Sequence, residues 1–175
     1  IVSAYNSLIP TAYKADLWRY CVLYKYGGIY GDFTQKFVKP FDVNYKNADM
    51  VLTKDILNYG IQISFMATKP GNTFFKYVID NVTTGIHNKR KGNNSLDITG
   101  PSAMKRHFFN FFSVDFIPLG MSKVKGIDGK EYLLYVPFKF TIKKNKLLFN
   151  GVKDKEIYAT GKSKSHMKLV YKNSR

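Results

Sequence analysis

Lys14 to Asp42 reads KADLWRYCVLYKYGGIYGDFTQKFVKPFD. The stretch divides into an amphipathic helix, a double-glycine stop, a short strand and an acidic turn. Asp16 and Arg19 are three residues apart, a spacing that places them on one helix face. Gly27 and Gly28 end the helix, because glycine takes the left-handed cap conformation without a Cβ clash. Ile29, Tyr30 and Phe33 suit a strand, with Asp32 near its end. Ligands of open α/β sheets gather at strand ends. One segment can therefore bring an acid, an arginine and a second acid to one crevice.

Working outward, the first nine residues alternate polar and apolar only weakly. Pro10 or Thr11 opens the helix, since proline is tolerated in a first turn. The expected buried stripe is Ala15, Trp18, Val22 and Tyr26, widened by Leu17, Cys21 and Tyr24. Downstream, Met50 to Thr53 reads as a strand. Ile61, Ile63 and Phe65 alternate with Gln62, Ser64 and Met66, a strand with a mostly apolar face. After the Pro70-Gly71 turn, Thr73 to about Val82 is a helix. His87 to Ser95 is a polar, basic loop. Pro101 opens a further helix, capped by Thr99 or Gly100. Phe116–Leu119, Tyr132–Val136, Phe138–Ile142 and Lys146–Phe149 read as short strands, with hairpin turns at Asp128-Gly129 and Lys144-Asn145. The expected fold is a single α/β domain over 1–175: a mixed sheet flanked by helices, with a hairpin-rich C-terminal part.

The 175 residues, 45% hydrophobic and 16% aromatic, favour one domain with a substantial core and exclude wholesale disorder. The net charge of +16 favours an anionic partner without naming it. Nucleic acid is disfavoured, because no RNA- or DNA-binding signature accompanies that charge. Cys21 is the single cysteine, so an intrachain disulfide and a cysteine zinc cluster are both excluded. No apolar run reaches the ~18 residues of a membrane span. Asn93-Asn94-Ser95 and Asn81-Val82-Thr83 match the N-glycosylation acceptor pattern, the second inside an expected helix.

Ala15-Asp16-Leu17-Trp18-Arg19-Tyr20, Leu23, Tyr26-Gly27-Gly28-Ile29-Tyr30-Gly31-Asp32 and Lys39-Pro40-Phe41-Asp42 together resemble the sugar-binding region of family 32 glycosyltransferases. That region carries a "DXD" motif and also occurs in the glucosylating clostridial toxins. Ile61 to Phe75 resembles the family's strand, proline-glycine turn and helix, and Thr99-Gly100-Pro101 its "TGP" element. The resemblance implies a GT-A-like fold and retaining transfer of a hexose from a nucleotide-sugar donor to a glycan or protein acceptor. By position, Asp16 would bind donor-sugar hydroxyls and Arg19 the sugar or its diphosphate. Asp32 would be the first acid of the motif, near ribose and metal. Gly28, Tyr30, Thr34, Thr99 and Gly100 would line the substrate pocket. The implied cofactor is a divalent metal, manganese or magnesium, on Asp32. A family member in a eukaryote would work in the Golgi, anchored through a segment outside this chain, and otherwise in the cytoplasm.

The sequence departs from the pattern twice. The second motif acid is Thr34, a weak neutral ligand that lowers the expected metal affinity. A basic residue would then replace the metal, or the protein would be a catalytically degenerate relative that binds without turnover. The chain also opens at Ile1, too late for the βα unit that holds the nucleotide base in the family, and no tryptophan follows His166.

Overall fold

The computed structural model describes residues 1–33, 35–37, 47–55, 60–137 and 142–144, with backbone alone for 35–37 and 142–144. Thr34, Val38, the Lys39-Pro40-Phe41-Asp42 segment, the expected strands at 138–141 and 146–149, Asn145 and the tail with His166 lie outside the described residues. The helices described are α1 (Val2–Ser7), α2 (Thr11–Tyr26), α3 (Thr73–His87) and α4 (Pro101–Phe112). The strands are β1 (Gly28–Gly31), β2 (Gln35–Phe37), β3 (Met50–Lys54), β4 (Ile61–Thr68), β5 (Gly120–Lys125), β6 (Glu131–Val136) and β7 (Ile142–Lys144).

Five strands form one sheet in the order β1-β4-β3-β6-β5, and β2 pairs with β7 separately. β3 and β6 run parallel, while β1/β4, β3/β4 and β5/β6 are antiparallel. This is the expected mixed α/β arrangement of sheet and helices. The β5–β6 hairpin turns at Asp128-Gly129, where Gly129 takes a φ of +79° that L side chains rarely adopt. Among the described residues, no helix is long and apolar enough to cross a membrane.

The main core lies between the helices and one sheet face. Leu17, Tyr20 and Leu23 of α2 meet Phe74, Phe75 and Val78 of α3, with Met50, Leu52, Ile61 and Leu134 beneath. Phe74, Phe108, Phe111, Phe112 and Tyr132 form a block of edge and tilted ring contacts, with centroids from 4.8 to 6.0 Å apart. Truncating one such buried phenylalanine costs about 3–5 kcal/mol. A smaller cluster of Ala48, Val51, Phe65 and Ala67 covers the other face.

Four local expectations are corrected. Residues Val2–Ser7 are helical, which their weak alternation did not indicate; Ala4 and the following Leu8 are fully buried. The buried face of α2 carries Tyr13, Leu17, Tyr20 and Leu23, whereas Trp18 is 53% and Tyr26 67% exposed. Apolar residues surround this helix nearly all the way round, so periodicity did not single out the face that packs on α3. Residues Phe116–Leu119 are not a strand, and β5 begins at Gly120, with Phe116 and Leu119 exposed. In β4 the alternation breaks: Ile61, Ile63 and Met66 join the main core but Phe65 faces the opposite cluster.

The break in β4 is a bulge. Val51 pairs with Ala67, yet Thr53 pairs with Gln62, so β4 carries extra residues opposite β3. Bulges re-aim side chains and carbonyls, often beside functional sites. Here the Thr53 hydroxyl donates to Gln62 O and Phe65 O, at 3.1 and 3.2 Å, while Ile63 O and Ser64 O turn toward α2 and the end of β1.

Candidate active site

α2 ends because Gly27 takes a φ of +66° and its N–H returns to Leu23 O at 2.9 Å. A Cβ at Gly27 would sit 2.6 Å from Pro70 N and 2.9 Å from Thr68 O, so glycine lets the helix end lie against the turn after β4. From there β1 runs antiparallel to β4, and Asp32 N–H continues the ladder to Ser64 O at 2.9 Å. Asp32 is thereby delivered beside the helical pair Asp16 and Arg19.

Arg19 is the centre of the cluster. Its side chain is 9% exposed. Nη2 lies 3.2 Å from Asp16 Oδ1, and Nη1 lies 3.3 Å from Asp32 Oδ1. Nη1 also donates to Ile63 O at 2.9 Å, and Nε to Ala15 O at 3.3 Å. The guanidinium lies over the Tyr30 ring, 4.7 Å from its centroid. Tyr30 OH donates to Asp32 Oδ1 at 2.7 Å. An exposed Asp–Arg pair at this spacing contributes only a few tenths of a kcal/mol. Breaking a buried pair by removing one partner costs about 3–5 kcal/mol, since it strands a charge.

The loop before α4 closes the second side. Thr99 Oγ1 donates to Asp16 Oδ2 at 2.9 Å, and Tyr20 OH donates to Thr99 O at 2.6 Å. A Cβ on Gly100 would stand 3.5 Å from Asp16 Oδ2 and 3.1 Å from Leu96 O, so the backbone passes close to the carboxylate. Burial pushes the Asp16 carboxyl up to about 6, against the lowering influence of Arg19 and the Thr99 hydroxyl. Burial, and then the hydrogen bond to Asp32, push the Tyr30 phenol well above its ordinary value, so it remains a donor.

Asp16, Arg19, Asp32, Tyr30, Thr99 and Gly100 are thus brought together. Gly28 is not part of the cluster: it opens β1 opposite Thr68, with open space where a Cβ would be. Thr34 lies outside the described residues. Tyr20, Ile63 O and Ala15 O complete the cluster and were given no site role from the sequence. Tyr20 lies inside the decisive stretch, but its partner Thr99 is 79 residues away.

Both Asp16 oxygens are engaged, as is Asp32 Oδ1, whereas Asp32 Oδ2 has no partner among the described residues. No group of three or more His, Cys, Asp or Glu that could hold a metal occurs among the described residues. A single carboxylate oxygen still fits a hard cation whose other ligands are substrate phosphates and water.

No curated protein sequence matches the chain. A solved structure described as "PaToxG Glycosyltransferase" is similar at 19% sequence identity, with a TM-score of 0.47. The similarity covers 57% of this chain and 34% of that one, so the chain spans about a third of that structure's length. Residues 1–65 match the family model described as "Glycosyltransferase sugar-binding region containing DXD motif". In its first 65 residues the chain is similar to the DXD-containing sugar-binding region of glycosyltransferases, and Asp16, Arg19 and Asp32 all fall inside that match.

Proposed function

We propose that this chain is a glycosyltransferase module with a GT-A-like fold, transferring a hexose with retention from a nucleotide-sugar to a glycan or protein acceptor. The observation that carries this reading is Arg19, buried between Asp16 and Asp32 inside the matched region. A departing nucleoside diphosphate develops negative charge, and a preorganised guanidinium in a low-dielectric cleft stabilises it. Arg19 is held from four sides and needs little reorganisation to do so. Asp16 in its ionised form accepts hydrogen bonds from hydroxyls of the donor sugar, exchanging the Thr99 bond for a ligand bond. Tyr30 braces Arg19 and Asp32 from below. Asp32 Oδ2 would hold a manganese or magnesium ion, which neutralises diphosphate charge when bound.

The test is calorimetry and hydrolysis assays over a panel of nucleotide-sugars, with and without manganese. Saturable binding with slow hydrolysis of one donor is expected. Absence of both across the panel overturns the reading. Thr34 favours a second reading, a degenerate relative that binds donor or glycan without turnover. Binding with no hydrolysis and no transfer under any metal condition would select it.

A further inference from the structure

α3, α4 and the loop between them enclose a cleft of about 410 Å³, within the size range of small-molecule sites. Its wall carries Arg90, Arg106, His107 and the amides of Asn81, Asn88 and Asn110, and no carboxylate side chain. Behind the wall, Asp97 is buried and receives both guanidiniums. Arg90 Nη2 lies 3.0 Å from Asp97 Oδ2, Arg90 Nη1 donates to Asp97 O at 2.8 Å, and Arg106 Nη1 pairs with Asp97 Oδ1. The Asn93 N–H adds a bond to Asp97 Oδ2 at 3.1 Å. One carboxylate therefore fixes two guanidiniums. Arg106 makes no bond through Nε among the described residues, and its side chain is 31% exposed.

His107 is 5% exposed, with Nε2 3.4 Å from Arg106 Nη2. Burial and the Arg106 and Arg90 charges lower its pKa to about 3, so the ring is neutral. An arginine N–H facing Nε2 leaves the ring proton on Nδ1, and Nδ1 has no partner among the described residues. Two planar guanidiniums share one carboxylate, Asp97, which leaves the pair with a net positive charge; with the amide donors of the wall they make up a donor set that recognises phosphate.

We propose that this cleft is a binding site for a phosphate-type oxyanion, gripped by Arg106 and Arg90 with the Asn110 and Asn88 amides as further donors. The site is separate from the Asp16–Arg19–Asp32 cluster, and nothing in it depends on glycosyl transfer. Asp97 acts as the anchor that preorganises the two arginines.

The test is calorimetry on the full chain at low ionic strength, with inorganic phosphate and with a hexose 6-phosphate as probes. One saturable site is expected. Asn110→Asp, which places a carboxylate in the wall without touching the Asp97 clamp, should weaken it at least tenfold. Lys123→Glu on β5, outside the cleft, should leave it unchanged. Equal affinity for the two probes assigns the site to free phosphate, and tighter hexose phosphate assigns it to a phosphorylated sugar. In the unsubstituted protein, the His107 ring nitrogen signals should move on phosphate addition, a readout that does not depend on any variant folding. Absence of saturable binding or unmoved His107 signals would overturn the proposal. So would equal effects of the two substitutions, which would assign the heat to general surface charge.

Discussion

Thr99 and Asp16 are 83 residues apart in sequence, yet the threonine hydroxyl donates to Asp16 Oδ2 at 2.9 Å. The bond ties the loop before α4 to the middle of α2. It is reinforced by Tyr20, one turn along the same helix, whose phenol donates to Thr99 O. Asp16 therefore has Arg19 on one oxygen and Thr99 on the other. Its orientation is set jointly by a residue of its own helix and one that tertiary folding delivers, and both oppose the burial that raises its pKa.

Thr99→Val keeps the shape and removes the hydroxyl. The lost hydrogen bond lowers the Asp16 pKa at present, so its removal should raise that pKa above about 6. Stability should fall by about 1–3 kcal/mol where the ionised carboxylate loses its donor. Carboxyl carbon shifts followed through a pH titration, with Asp16→Asn for assignment, measure the first effect. Urea melts measure the second.

Asp16 also predicts a direction for stability against pH. Its folded pKa, about 6, lies above the ordinary aspartate value of 3.8, so the folded state binds the proton more tightly. Between those values the folded chain holds more protons than the unfolded chain, and stability falls as pH rises. The contribution is fully present below about pH 4, gone above about pH 6, and on the order of 3 kcal/mol. The difference between melts of the unsubstituted chain and Asp16→Asn, taken from pH 4 to 7, should show this slope. Donor binding that needs ionised Asp16 should run the other way and strengthen over the same window.

Arg19 holds two carboxylates and two backbone carbonyls through one planar group. Arg19→Ala should destabilise the fold by about 3–5 kcal/mol, because the desolvated Asp16 loses its counter-charge and keeps only the Thr99 hydrogen bond. Arg19→Lys keeps the charge but cannot bridge both acids, so an intermediate loss is expected. Thermal melts of the two variants decide the order. A lysine variant as stable as the original would show that the fork geometry is unimportant.

Gly27→Ala tests the link between helix and sheet. The new Cβ would lie 2.6 Å from Pro70 N at a φ of +66°. Overpacking against backbone and the strained dihedral together should cost about 2–4 kcal/mol. A denaturant midpoint unchanged from the original would rule out this close approach.

Thr34→Asp restores the second acid of the motif pattern. If Asp32 and position 34 share a cation, manganese affinity should rise at least tenfold by calorimetry. An unchanged titration would leave Arg19 as the main source of positive charge for a leaving diphosphate.

The order and type of several elements were legible because local signals agreed with packing. Gly27-Gly28 stopped α2, Pro101 opened α4, and Asp128-Gly129 turned the β5–β6 hairpin, each through a backbone preference that acts without distant partners. The helical spacing put Asp16 and Arg19 on one face, and the strand that follows put Asp32 at its end. Local pattern failed where apolar residues were too abundant to choose a side, as on α2, or where register slipped, as in β4.

By itself, the sequence determined which charged residues could meet, since helix pitch and strand ends are properties of neighbouring residues. Tertiary structure alone decided that Arg19 is buried, that the β4 bulge hands it the Ile63 carbonyl, and that Thr99 reaches Asp16. Burial and long-range hydrogen bonds depend on which surfaces are pressed together, and those surfaces come from segments far apart in the chain. The same desolvation that raises the Asp16 pKa also makes Arg19 indispensable to it, which no spacing along the chain could express.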